Sequence, residues 1–220
     1  MNGAKQTTGN RLVILSIIGL PVTMILAGTW LWFFVMRGDI DLIGTLGTAN
    51  SGELVIPPRQ IDEVSMRDSG GAVMAYEDFP ERKWTLLVVN SGPACDQDCE
   101  HNLYMTRQIH IAVGKEVHRI RRVYSSETPA GETQLMVEQL SDKRPTPASF
   151  ADFLETDHRG LTSLELAPGS YRELFPERAE DASTWYLVDP AGWIMMSYNR
   201  EIPYKDVISD LKFLLKNSSE

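Results

Sequence analysis

The chain has 220 residues, 43% of them hydrophobic and 23% charged, with a formal net charge of -9. That acidity argues against a nucleic-acid partner, because phosphate backbones are gripped by basic surfaces. It suits a domain that handles cations or docks on a basic protein surface, and it serves solubility equally well.

In chain order, residues 12–36 form the first element, an apolar stretch of about 25 residues, enough to cross a bilayer with some tilt. Pro21 and Gly28 interrupt it, as membrane helices tolerate, and Trp30, Trp32, Phe33 and Phe34 crowd its end like an interfacial aromatic belt. The stretch exceeds the h-region of a signal peptide, and no Ala-x-Ala site precedes Arg37, so it reads as an uncleaved anchor. Lys5 and Arg11 precede it without an acid, whereas Asp39 and Asp41 follow Arg37. The positive-inside rule therefore predicts a single-pass bacterial inner-membrane protein, with a cytoplasmic N-terminus and a periplasmic C-terminal domain. The periplasm is a compartment where thiols meet oxidants.

Residues 37–80 read as a membrane-proximal lead-in, rich in Gly, Asp and Pro. Within it, residues 44–58 predict an extended turn ending at Pro57-Pro58, and residues 71–76 a short strand. From Trp84 onward strands and helices alternate. The pattern predicts strands over 86–89 and 119–124, and a helix over 98–113 stopped at Gly114. It predicts a further helix near 133–140 and irregular or short helical pieces over 150–156 and 168–175. A β-hairpin follows, over 184–188 and 193–198 around Asp189-Pro190-Ala191-Gly192, and then an amphipathic helix over 205–215. That order is the order of an α/β, thioredoxin-like domain, expected over 81–220.

The candidate site is the only cysteine pair, in Asn90-Ser91-Gly92-Pro93-Ala94-Cys95-Asp96-Gln97-Asp98-Cys99. A buried-type strand and a Gly-Pro turn deliver two thiols to a helix start. Four-residue spacing predicts both sulfurs on one helical face, able to bridge or to clamp one soft metal ion. The helix dipole favours a thiolate there, while Asp96, Asp98 and Glu100 oppose it by charge and complement the dipole. Of the histidines, His101 points about 200° away from Cys99, His110 lies about 16 Å along the axis, and His118 opens the next strand. His158 sits in a predicted loop and is the one distant donor. Met195 and Met196 face opposite ways and read as core filling, and Arg119, Arg121 and Arg122 as a solvated edge. No G-x-S-x-G, Walker or Rossmann pattern occurs.

With its anchor, its C-x-x-x-C pair after the first core strand, its Tyr186-Leu187-Val188-Asp189-Pro190-Ala191-Gly192 hairpin and its terminal helix, the chain resembles the Sco/SenC family of thioredoxin-fold proteins over residues 50–216. Within that family it resembles a divergent proteobacterial branch, through Asn50-Ser51-Gly52-Glu53-Leu54-Val55-Ile56-Pro57-Pro58 and through Leu103-Tyr104-Met105-Thr106-Arg107-Gln108 following the cysteines. The resemblance implies a membrane-anchored thiol–disulfide or copper-handling factor in cytochrome c oxidase assembly. Cys95 and Cys99 would be its redox pair and its copper ligands, with Cys95 the more exposed thiol and oxidase subunits or other assembly factors its partners. Two departures stand out. The places usually held by prolines within and after the pair carry Asp96 and Glu100, and the place of the family's distal histidine falls at or near Asp181. The other reading from the residues is a non-catalytic anchored scaffold stapled by a structural disulfide. A peroxiredoxin-type peroxidase is weaker still, since residue 92 is glycine where that chemistry wants threonine.

Overall fold

The computed structural model describes residues 3–36 and 50–218, with side chains over 16–30, 32, 33 and 50–218. The chain divides into two units, Met1–Ala49 and Asn50–Glu220.

In the first unit, helix α1 runs from Gly3 to Met36 with Pro21 inside it. Most of its described side chains are apolar and exposed, among them Ile17, Ile18, Leu20, Met24, Ile25, Leu26 and Trp32. Residues 12–15, 31 and 34–36 of the expected span lie outside the described side chains. Among the described residues, no helix is long and apolar enough to cross a membrane.

The second unit is built on one sheet. Its strands are β1 (Glu53–Gln60), β2 (Met66–Arg67), β3 (Val73–Met74), β4 (Trp84–Asn90), β6 (Ile120–Ser126), β8 (Leu161–Leu166), β9 (Trp185–Val188) and β10 (Trp193–Tyr198). Their order is β1-β10-β9-β4-β6-β8-β2-β3. A separate pair joins β5 (Ala94–Cys95) to β7 (Gln134–Leu135). The central strands β4, β6 and β8 are parallel, and β9 runs antiparallel to β4. Parallel neighbours need a crossover, and helix α2 (Gln97–Ala112) supplies the first one.

Every residue of β4 is buried, and alternate side chains enter opposite cores. Leu86 and Val88 join Leu103 and Ile109 of α2, Phe150 and Phe153 of α3 (Phe150–Asp157), and Leu211 and Leu215 of α6 (Tyr204–Asn217). Leu87 and Val89 join Ile61, Met66, Val123 and Phe175 on the other face, beside α4 (Ser170–Leu174). A last short helix, α5 (Glu177–Glu180), precedes β9.

Several expectations are revised. The extended turn ending at Pro57-Pro58 is instead strand β1, which pairs with β10 at both ends and shifts register between Leu54 and Arg59. It lies at the sheet edge, where a proline without an N–H costs no ladder bond. Residues 50–80 thus belong to the compact unit: β1 and β2 pair into the sheet, and Ile61, Met66 and Tyr76 fill a core. Residues 37–49 of the expected lead-in lie outside the described residues. The helix expected near 133–140 does not form. Leu135 and Val137 pack against the core while Met136 between them is exposed, an alternation that belongs to extended chain. Strand β8 went unread because its partly buried residues Leu161–Ser163 give little apolar signal.

Candidate redox site

Asn90, the last residue of β4, organises the loop that presents the first cysteine. Its Nδ2 donates to the carbonyls of Gly92 (3.1 Å) and Ala94 (2.9 Å) and to the Tyr124 hydroxyl (3.3 Å). The chain then forms β5, and Cys95 therefore precedes the helix instead of sharing a helical face with Cys99. Asp96 is the N-cap of α2, accepting from the backbone N–H of Asp98 (3.1 Å) and Cys99 (3.0 Å). Cys99 sits in the first turn, and its sulfur is joined to that of Cys95 in a disulfide. Both cysteines are fully buried, so the expected greater exposure of Cys95 is not seen.

The acids read as dipole partners have three separate tasks. Asp96 caps the helix and, in doing so, occupies N–H groups that could otherwise stabilise a Cys99 thiolate. Asp98 pairs with Arg200 at 2.8 Å. Glu100 is buried, and its carboxylate accepts from Ser141 N (2.9 Å) and Ser141 Oγ (2.6 Å).

Beside the cysteine loop lies a cavity of about 560 Å³. Residues 90–94 and Asp96 line it together with Tyr171, Arg172, Arg178 and Ala182, with Glu127 in its wall. The topology thus brings the loop before β9 beside the cysteine loop, where the family resemblance places a third copper ligand. That loop offers no such ligand. Arg178 donates from Nη1 to the carbonyls of Ala182 and, at 2.9 Å, Thr184, holding the loop with a cation. Asp181 spends Oδ1 on Ser183 N (2.8 Å) and Ser183 Oγ (2.7 Å), contacts that lower its pKa, the Ser183 hydroxyl bond most.

None of the histidines replaces it. His101 Nδ1 lies 3.2 Å from Ser141 Oγ, His110 Nε2 bonds the carbonyls of Val117 and Ile120, and His118 Nδ1 bonds that of Lys115. His158, expected in a loop, caps α3 and is buried edge-on to Phe153, with ring centroids 4.5 Å apart. Its Nδ1 accepts from Arg122 Nη2 at 2.8 Å. Burial first, and then the Arg122 charge, push its pKa down to about 3. Arg122 itself is buried at 4% exposure rather than on a solvated edge, because β6 is an inner strand. Burial lowers its pKa to about 10, and Nη2 also donates to Leu103 O at 3.0 Å.

Among the described residues, no cluster of three His, Cys, Asp or Glu side chains could hold a metal ion. With the sulfurs joined to each other and Asp181 bonded to Ser183 at the distal position, the residues present do not fit a three-ligand copper centre.

Comparison with known proteins fits this geometry. The profile of the family described as transmembrane-like, thioredoxin-like, C-terminal domain matches residues 84–218. The chain belongs to that family. No curated protein sequence matches it. Its fold is that of the Sco proteins. Yeast Sco1 with copper bound superposes with a TM-score of 0.51 at 15% identity, covering 79% of this chain and 97% of that one. A second structure of yeast Sco1 gives 0.52 at 13%, covering 79% and 99%. Arabidopsis thaliana ScoI with copper bound gives 0.50 at 14%, covering 70% and 97%. At these identities the likeness concerns the fold. The sequence did not single out Tyr171, Arg178 or Ser141, since each is separated from the pair by tens of residues and belongs to no motif.

Proposed function

We propose that this chain is a membrane-anchored, Sco-like thiol–disulfide factor acting in the periplasm on cytochrome c oxidase subunits or their assembly factors. One observation carries the reading: a disulfide between a loop and a helix start, next to a cavity large enough for a partner's side chains. In the reduced protein, one cysteine thiolate attacks a partner disulfide and releases one partner thiolate. The second cysteine then displaces the other partner sulfur. The partner gains two electrons and two protons as a dithiol, and Cys95–Cys99 is left as the disulfide. A membrane dithiol reductant returns the pair to the thiol state. The exposed apolar girdle of α1 supports anchoring, as such a surface needs covering, and the flanking charges support the orientation.

Complementation tests this reading. In a strain lacking the gene, the wild-type chain should restore oxidase activity, and Cys95→Ser or Cys99→Ser should fail although both are made and inserted. Full rescue by both serine variants would remove the redox role. Copper delivery is a separate matter, since the site lacks a third ligand. Anaerobic copper(I) titration of the reduced chain should show no stoichiometric tight binding that depends on both cysteines.

A second reading has an observation of its own. Complete burial of both sulfurs favours a structural staple in an anchored scaffold. Under it the serine variants would lose stability and nothing else.

A further inference from the structure

Buried sulfurs exchange only if something moves, and the long connection between β6 and α3 contains a segment built to do so. Residues 133–144 lie along the disulfide. Gln134 N donates to Pro93 O at 2.8 Å and Met136 N to Cys95 O at 2.9 Å, which makes β7 the parallel partner of β5. At its other end Leu140 enters the core that holds both cysteines, and Ser141 is tied to the buried Glu100 carboxylate by two hydrogen bonds. Asp142 pairs with Arg107 at 3.3 Å and with Arg144 at 2.7 Å. Between these ties Gln134, Met136, Glu138, Gln139 and Lys143 are exposed, and Lys143 takes a left-handed φ of 66°. Polar bonds, the buried Leu140 and the partly buried Leu135 and Val137 hold it, with exposed residues between them, the profile of a locally opening element.

We propose that residues 133–144 are a lid over Cys95–Cys99, latched by Glu100–Ser141, and that β7 holds the place on β5 of an extended, cysteine-bearing segment of a partner polypeptide. The lid stands on geometry alone; the partner's use of it rests on the thiol-exchange reading above. An incoming strand would give its N–H groups to Pro93 O and Cys95 O as the lid now does. That registers its cysteine beside the disulfide, with the cavity lined by Tyr171, Arg172 and Arg178 open to its flanking side chains.

The test is the rate at which tris(2-carboxyethyl)phosphine reduces the disulfide in the full chain in detergent, as urea is raised. A lid predicts a rate independent of urea well below the unfolding transition, because local opening exposes little surface. Ser141→Ala, which removes one latch bond, and Met136→Pro, which removes the N–H to Cys95 O, should each raise that rate about tenfold with melting temperatures nearly unchanged. Reduction that follows the urea dependence of global unfolding, or variants reduced no faster than wild type, would overturn the lid. For the partner strand, the probe is a peptide of residues 132–138 carrying Leu135→Cys, offered to the Ser141→Ala chain. Its thiolate attacks the disulfide, forming a mixed disulfide and releasing one cysteine thiolate. It should react about tenfold faster than a scrambled peptide of the same composition, and equal rates would refute the docking position. Failure of the pair to exchange with glutathione would end the thiol-exchange reading while leaving the lid rates intact.

Discussion

At the scale of single residues, the site is decided by what surrounds the sulfurs. The cysteines and the acids between them were legible in the sequence because spacing and helix-start chemistry are local properties. The particular task of each acid was not, since Ser141 and Arg200 reach them from distant parts of the chain. Asp96 holds a negative charge beside the nascent thiolates and occupies the Cys99 N–H. Asp96→Asn keeps the cap and removes the charge, so the dithiol form gains stability. A rise of about 20 mV in the reduction potential is expected, equivalent to about 1 kcal/mol, measurable in glutathione buffers. His158 provides a pH signature. Its folded pKa is depressed to about 3 by burial and by Arg122, so the unfolded chain binds a proton that the native state refuses. Its neutral state favours folding fully above about pH 6.5, and that contribution is lost as pH falls toward 3, with a slope of up to about 1.4 kcal/mol per unit. His158→Gln retains an acceptor for Arg122 and should flatten the urea midpoint between pH 6.5 and 4 relative to wild type.

At the scale of elements, periodic segments were read well and short extended ones poorly. Strand β4, α2, the β9–β10 hairpin and α6 each carry an apolar pattern whose period matches their backbone. Strands β1, β7 and β8 do not. Proline masks the first, two residues are too few to show the second, and mixed polarity hides the third. The terminal helix is a test of packing at this scale. Leu211 is fully buried against the core that contains the cysteines. Leu211→Ala should cost about 2–5 kcal/mol in urea unfolding, through lost burial and the cavity left behind. Loss below about 1 kcal/mol would place α6 outside the cooperative unit.

At the scale of the whole molecule, the thioredoxin-like order is extended by an N-terminal segment that completes the sheet. Strand β1 covers β10, β2 covers β8, and Ile61, Met66 and Tyr76 fill the second core. A boundary drawn at residue 81 from composition misses this, because the pairing partners lie 98 or more residues away. A fragment beginning at residue 50 should therefore fold cooperatively, while one beginning at 81 should aggregate or bind a hydrophobic dye with no sharp thermal transition. The same long-range closure brings the distal loop, the lid and the cysteine loop to one end of the sheet, and it puts Arg178 in the wall of the cavity beside the cysteine loop.

The redox function requires Cys95–Cys99 to be an exchangeable pair, and the decisive measurement is its reduction potential, from equilibration of the full chain with graded glutathione and dithiothreitol buffers. A value above about -300 mV, within reach of biological dithiols, is the predicted result. A value well below it, where a buried bridge resists every physiological reductant, would make the disulfide a staple and contradict the redox function.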